Sequence, residues 1–365
     1  MRILFLTTGL KLGGAEQQIA ALARAFVDLG HQVAIITLTP GCDVRLPPDV
    51  EVFSLNMRKT PLSALCALYR ARKIVGQWRP DVIHAHMIHG NLFARALART
   101  TSVPPVICSA HSAREGGKLR AMAYRVTDRW CALTTHVSAA GREAMINSGA
   151  VQASRIIVMP NGIDTSRFAL KASVRDSVRK DLLVDAGDIV LLSVGRLVPE
   201  KDHALLIRAF SLLYTEEPRL RLRIAGDGPL RNQLQDDIAA MQLCEVVQLL
   251  GTRQDIPDLL HGADIFVLSS QIEGMPLVIG EAMATGLPVV ATDAAGVREI
   301  AGNLATITPV GDAAALAQAL RSAVSRLPTT PDQCAKNRKR ITSHFDIRVI
   351  ADRWLIHYQH LTEGF

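Results

Sequence analysis

Short apolar runs rich in β-branched residues, alternating with longer stretches of helical periodicity, restrict a chain to a parallel sheet covered by helices on both faces. This sequence alternates in that way from its second residue. "RILFLTT" (2–8) is a strand-like run, and "AEQQIAALARAFVDLG" (15–30) spaces its apolar residues as a helix does, with Gly30 as a C-terminal cap. "HQVAIITLT" (31–39), "DVIHAHM" (81–87) and "PPVICSAH" (104–111) are further strand-like runs, the last two with helical sequence behind them. The pattern starts afresh at "DIVLLSVGRL" (188–197). It continues through "RLRIAGDG" (221–228), "VVQLLG" (246–251), "ADIFVLSS" (263–270) and "LPVVATD" (287–293), with helical stretches at 202–214 and 231–241.

No sequence repeat relates the halves, so they share an architecture and not a period. The pattern breaks at "VMPNGIDTSRF" (158–168), where Pro160, Asn161 and Gly162 cluster. Two Rossmann-like α/β domains are therefore expected, over residues 1–163 and 164–345. The last helix-like stretch, Ile347–Leu361, is expected to return to the first domain and to add residues 346–365 to it. Two parallel sheets facing one another leave a cleft at the carboxyl ends of their strands, so chemistry is to be sought in the loops that follow those strands.

Composition narrows the class. A chain of 365 residues that is 48% apolar can fill a core in each domain. No segment approaches the roughly 18 consecutive apolar residues of a membrane span. The opening "MRILFLTTGL" lacks a small-residue cleavage site and runs into a glycine turn, so it reads as a strand and not as a signal peptide. Six cysteines, none in C-x-x-C spacing, read as reduced thiols of a cytosolic protein. Residues 1–170 hold 20 Lys+Arg against 10 Asp+Glu, whereas residues 171–365 hold 21 against 24. The excess serves solubility at the least. Aromatics at 4% and the lack of a recognition motif argue against nucleic acid, which leaves an anionic membrane surface as the better partner.

The loops carry the candidate chemistry. After the first strand, Gly13 and Gly14 sit where a strand turns into a helix and backbone N–H groups can approach an anion, although a tight turn explains them as well. Neither this loop nor "GDGPLR" (226–231) matches a dinucleotide or Walker fingerprint. In "SVGRLVPEKDH" (193–203), Arg196 and Lys201 enter a helix together. A guanidinium fork and a point charge suit a diphosphate, and a surface salt bridge with Glu200 is the plain alternative. "EGMPLVIGEAMATG" (273–286) places Glu273 before a helix that begins at Pro276 and is capped by Gly286, with Glu281 in its second turn. A carboxylate only accepts hydrogen bonds, so each glutamate can hold a pair of vicinal hydroxyls. The N–H groups of Gly274, Met275 and Leu277 favour a phosphate between them. Hydroxyl hooks beside an anion site describe a nucleotide sugar. A glycosidase pair stays open on spacing alone but needs no phosphate-binding cations. No Asp-x-Asp triplet supports a metal site.

With these residues the chain resembles the retaining glycosyltransferases of family 4, which have the GT-B fold. The resemblance runs through "GGAE" (13–16), "DVIHAH" (81–86), "PNGID" (160–164), "VGRLVPEKDH" (194–203), "IAGDGP" (224–229), "ADIFVLSS" (263–270) and "EGMPLVIGEAMATGLPVVAT" (273–292), with its E-x7-E signature. It implies a donor-binding second domain and an acceptor-binding first domain. Glu273 would contact the donor sugar, Gly274, Met275, Pro276 and Leu277 would lie beside sugar and phosphates, and Glu281 would hold the ribose diol. Arg196 and Lys201 would bind the diphosphate, Gly13 and Gly14 would complete its cradle, and Arg253 is counted with the donor-binding residues. His111 matches the active-site histidine, while His84 and His86 are expected to be structural, on one face of their strand.

The implied reaction retains anomeric configuration, with a phosphate oxygen taking the acceptor's proton and no protein nucleophile. No cofactor is required, which leaves room for Mg²⁺ on the diphosphate. The segment 111–130 carries Arg114, Lys118, Arg120, Arg125 and Arg129 among Leu119, Met122, Tyr124, Val126 and Trp130. A basic helix of this kind suits an anionic bilayer as well as ordinary solvent. The expectation is a cytoplasmic enzyme, peripheral at the inner face of the membrane, that uses a UDP-sugar, or next a GDP-sugar. Its acceptor would be a lipid-linked glycan, lipopolysaccharide or exopolysaccharide intermediate. A nucleotide-sugar epimerase and a non-catalytic nucleotide-sugar-binding module are the alternatives.

Overall fold

The computed structural model describes residues 1–11, 13–100, 103–112, 117–169 and 174–363. The chain divides into two compact units, Met1–Ile163 with Asp346–Phe365, and Asp164–Phe345. The first runs β1 (Arg2–Thr7), α1 (Gly14–Asp28), β2 (Gln32–Thr37), β3 (Glu51–Ser54), α2 (Pro61–Trp78), β4 (Val82–His86), α3 (Met87–Thr100), β5 (Val106–Ala110), α4 (Lys118–Thr127), β6 (Leu133–His136), α5 (Ala139–Asn147) and β7 (Ile156–Val158). The second opens with α6 (Arg175–Asp181), β8 (Ile189–Val194), α7 (His203–Tyr214), β9 (Leu220–Ala225), α8 (Arg231–Ala240), β10 (Val247–Gly251) and α9 (Ile256–Gly262). It closes with β11 (Ile265–Leu268), α10 (Leu277–Ala284), β12 (Val289–Thr292), α11 (Val297–Ala301), β13 (Thr306–Thr308), α12 (Ala313–Val324) and α13 (Pro331–His344). The final helix, α14 (Ile347–Glu363), belongs to the first unit.

Each unit is one parallel sheet, seven strands in the order β3-β2-β1-β4-β5-β6-β7 and six in the order β10-β9-β8-β11-β12-β13. The strand order reverses between β1 and β4 in the first and between β8 and β11 in the second. In open α/β sheets, ligands bind outside the carboxyl ends of the strands at such reversals. Alternate residues of one strand serve opposite faces. Ile3 and Phe5 pack under α1 and α14 with Phe26, Trp354 and Tyr358, while Leu4 and Leu6 pack under α2 and α3 with Trp78, Phe93 and Leu97. In the second unit α7 and α12 close over Leu191, Leu222, Ile224 and Val267.

The structure adds β3, β6, β7 and β13 to the strands legible in sequence. Three of these are sheet edges of three or four residues, and β6 is the polar stretch Leu-Thr-Thr-His. Two boundaries are corrected. Pro276 is the residue before α10 and not its first helical residue, because its ψ of 96° is still extended. Among the described residues of the basic segment 111–130, the helix is α4, followed by one 3-10 turn at Asp128–Trp130. Arg114 lies outside the described residues. All six cysteines are free thiols. Among the described residues no helix is long and apolar enough to cross a membrane.

Candidate functional site

In the second unit the chain leaves β8 through Gly195 and Arg196, makes a 3-10 turn at Pro199–Lys201 and enters α7. Asp202 is the hinge of that entry. Its backbone is left-handed with φ 45°, one carboxylate oxygen accepts from Leu205 N at 3.1 Å, and the other accepts from Gln271 Nε2 at 2.7 Å. The loop after β11 is stitched to the same turn. Gln271 N and Ile272 N donate to Glu200 O at 2.8 and 3.4 Å, and Ser269 Oγ donates to Lys201 O at 3.0 Å.

This stitching brings the two ends of the sequence motif together. Lys201 Nζ donates to Glu273 Oε1 at 2.5 Å, and Ser270 Oγ donates to the same oxygen at 2.6 Å. The Glu273 side chain is only 9% exposed, so the pair is largely desolvated and holds one geometry. The stem of Lys201 crosses Gly195 closely enough that a Cβ there would lie 3.5 Å from Lys201 Cδ. Arg196 is exposed, with no ion pair among the described residues.

The backbone that frames this pair depends on close approaches. At Gly226, with φ +145°, any Cβ would strike Gly195 O, and at Gly228 one would come within 2.5 Å of Leu197 O. The "GDGP" stretch thus has a packing role, letting the loop after β9 lie flat against the one after β8. Leu197 N donates to Asp227 O at 3.0 Å, and Leu230 N donates to Leu197 O at 3.1 Å. Gly296, with φ +77°, does the same for Gly274 and Met275, its absent side chain leaving room for Gly274 O and Met275 Cα.

α10 starts just behind these residues, and its first-turn N–H groups have no intrahelical acceptor. The helix ends in paired bonds, Gly286 N to Met283 O and Leu287 N to Ala282 O, which stop it after two turns. Glu281, half-buried in the second turn, has its carboxyl pushed up to about 7 by burial, against the opposing pull of Arg167. Arg253, in the loop after β10, is engaged by Asp255 through a bidentate pair with Nε to Oδ1 at 2.7 Å. That hydrogen bonding raises the guanidinium and lowers the carboxyl.

In the first unit, Gly13 is the extended residue that caps α1, and Gly14 is the first helical residue, open to solvent where a Cβ would stand. His111 follows β5. Its Nε2 shares a 3.0 Å hydrogen bond with Nδ1 of His86 at the end of β4. His86 stacks on His84 with ring centroids 4.1 Å apart. His84 is itself held by Tyr358 OH at 2.6 Å and Ser109 Oγ at 2.7 Å. Burial, with His136 adding to it, lowers His111 to about 4, and burial lowers His84 and His86 as well, so the three rings are neutral at pH 7. His136 accepts from Ser138 N at 3.1 Å and therefore presents Nε2–H to Ser112 O at 3.0 Å, which pins the residue after His111. A small cavity beside these rings is lined by Gln18, His86, Ser109, His111, Asn161 and Trp354. Gln18 Oε1 accepts from Gly162 N at 3.0 Å, fixing the Pro-Asn-Gly turn at its rim.

α4 is anchored on one side and bare on the other. Tyr124 is buried against the guanidinium of Arg95, 4.6 Å above its ring, and its OH accepts from Asn91 Nδ2 at 2.8 Å. Lys118, Arg120, Arg125 and Arg129 are exposed, while Trp130 is half-buried with Arg129 over its ring at 6.0 Å. Among the described residues no group of three His, Cys, Asp or Glu side chains is placed to hold a metal ion.

The structure thus joins Lys201 to Glu273 directly, while Arg196 stands exposed in the loop after β8 and α10 begins four residues beyond Glu273. Sequence reasoning missed Ser270, His136, Gln18 and Tyr358. The Ser270-x-x-Glu273 spacing is the one local signal that pointed to any of them.

Residues 174–341 match the family described as Glycosyl transferases group 1, and residues 12–167 match Glycosyltransferase Family 4. An uncharacterized glycosyltransferase of Methanocaldococcus jannaschii is 30% identical over 316 residues, 79% of this chain and 79% of that one. The UDP-Gal:alpha-D-GlcNAc-diphosphoundecaprenol alpha-1,3-galactosyltransferase of Escherichia coli is 32% identical over 247 residues, 64% of this chain and 62% of that enzyme. The Anabaena protein HepE, solved in complex with UDP-glucose, superposes with a TM-score of 0.85 at 24% identity, covering 100% of both chains, a likeness of fold.

Proposed function

The chain belongs to the family 4 glycosyltransferases of the GT-B fold, and from that premise we propose that it is a retaining enzyme that moves a sugar from a nucleotide diphosphate to a lipid-linked glycan, lipopolysaccharide or exopolysaccharide intermediate. A UDP-sugar is the first choice of donor and a GDP-sugar the second. The Escherichia coli relative, named for UDP-galactose and a diphosphoundecaprenol acceptor, supports that choice, as does the HepE complex with UDP-glucose.

The observation that carries the reading is the Lys201–Glu273–Ser270 cluster at the β8–β11 reversal. Glu273 accepts from hydroxyls of the donor sugar, and Lys201 and Arg196 neutralise the diphosphate as it leaves. The N–H groups of Gly274, Met275 and Leu277 favour the adjoining phosphate. Glu281 accepts from the ribose diol. In the first unit, Gly13 and Gly14 supply N–H groups for the diphosphate, and neutral His111 offers a hydrogen bond to the transferred sugar. The acceptor oxygen forms its bond to the anomeric carbon on the face from which the diphosphate departs. The bond to the diphosphate breaks with its electron pair on oxygen, and a phosphate oxygen takes the acceptor's proton. Positioning and charge do the chemistry, and no metal is assigned a step. The acceptor falls to the first unit, with α4 at an anionic membrane surface.

A panel of UDP-, GDP- and ADP-sugars, scored for binding and for nucleotide release with membrane extract, tests this. Acceptor-dependent release is expected. Interconversion of free nucleotide sugars would make the protein an epimerase, and tight binding without turnover would make it a binding module.

A further inference from the structure

A second helix shares the character of α4. On α2, Leu62, Leu65 and Tyr69 are 73%, 64% and 72% exposed, at the i, i+3, i+7 spacing of a single stripe. At about 100° per residue that stripe lies opposite Ala67, Ala71, Val75 and Trp78, which pack on the sheet. On α4, Leu119, Met122 and Val126 repeat the spacing opposite buried Tyr124, and Leu119 is 88% exposed. Both stripes therefore point straight away from the core.

The two helices belong to one layer. α3 touches α2 on one side and α4 on the other and is itself largely buried between them. Each of the three helices follows a parallel strand and therefore starts at the carboxyl edge of the sheet. Lys59 stands just before α2, His89 in the first turn of α3 and Arg120 in the first turn of α4. Burial lowers the pKa of His89, and the charges of Arg120 and Lys59 lower it further. Charge is one-sided throughout. Residues 52–80 hold six Lys+Arg and no Asp or Glu, and residues 117–127 hold three and none.

We propose that α2 and α4 together form a two-helix platform that seats the first unit on an anionic lipid bilayer. Apolar stripes flanked by cations, with no acidic residue on either helix, match the acyl boundary and headgroups of such a membrane. Both helices start at the carboxyl edge of the sheet, where His111 follows β5, so a membrane-borne acceptor would be presented there from the bilayer plane. The platform deepens the acceptor side of the proposed function and rests on that reading.

The full-length chain is mixed with phosphatidylcholine vesicles, with and without about one-third phosphatidylglycerol, and partition is read by flotation at low and high salt. The wild type is expected to bind only the anionic vesicles and to be released by salt. Leu62→Glu with Leu65→Glu, and separately Leu119→Glu with Met122→Glu, are each expected to weaken partition at least about tenfold. Circular dichroism and nucleotide-sugar binding report that the fold is kept, since all four positions are exposed. If the α2 variant floats like wild type while the α4 variant does not, the platform is wrong and the single-helix reading stands. If wild type ignores anionic vesicles, both fall. A dimer in solution that the α2 variant turns to monomer, with vesicle binding unchanged, overturns the platform in favour of a second copy of the chain.

Discussion

With Glu281 proposed to hold the donor ribose, donor binding should depend on pH. Burial raises its carboxyl from 4.5 to about 7, so the folded chain holds a proton that the unfolded chain has released across that window. Its contribution to stability therefore falls as pH rises from about 4.5 to about 7. Ribose hydroxyls donate to the ionised form, so donor affinity should strengthen between about pH 6 and pH 8. Glu281→Gln should bind more weakly, with that rise flattened, when followed by titration calorimetry. A rise that persists in the variant would overturn the ribose assignment. Lys201→Met leaves Glu273, among the described residues, with Ser270 as its hydrogen-bond partner, and should cost roughly 1–3 kcal/mol in urea unfolding. Turnover should drop much further than donor affinity, because the lysine is assigned to charge that grows in the transition state. What sequence shows is local chemistry, one glutamate before a helix, another in its second turn, and two cations on one loop. Alternation puts His84 and His86 on one strand face, whereas the contact of His86 with His111 joins the ends of two strands that become neighbours only in the sheet. Ser270 was overlooked because a hydroxyl beside a strand end has many uses.

Glycines at two loop crossings carry the arrangement of the elements. Gly296→Ala puts a methyl group into Gly274 O and strains a backbone at φ +77°. It should destabilise by more than about 1 kcal/mol, and should displace the 274–275 amides that the donor's phosphate would meet. Gly187→Ala, where a Cβ meets open space, is the control and should leave denaturation midpoints and donor affinity unchanged. A Gly296 variant with unaltered donor affinity would show that those amides are not used. The strands that escaped sequence reading share a physical cause. β3, β7 and β13 are sheet edges of three or four residues, too short to show a period. β6 is interior but polar, since Thr134 is spent on Arg95, Thr135 on Ser109 and His136 on Ser112. Buried hydrogen bonds replace apolar contact there, and a hydrophobic pattern cannot register them.

At the scale of the molecule, alternation alone was enough for two parallel sheets, because helical crossovers leave a chain few other ways to pair its strands. α14 belongs with the first sheet. Tyr358 and Trp354 are buried against Phe26 and His84 on the face opposite α2 and α3. A chain ending at residue 345 should therefore lose hydrogen-exchange protection in β1, α1 and β4, while β8, β9 and β11 keep theirs. Equal loss in both sheets would show that α14 supports more than its own unit. The chain crosses from the first unit to the second at residues 163–164 and back at 345–346. At the return, Ile163 pairs with Asp346, and Ile347 N donates to Ile163 O at 2.8 Å. The segment 164–345 thus leaves the first unit and returns to it through adjacent backbone. With donor binding proposed for this segment, exchanging residues 164–345 for those of a relative is expected to change the nucleotide sugar used and to leave the acceptor unchanged, as read with a donor and acceptor panel.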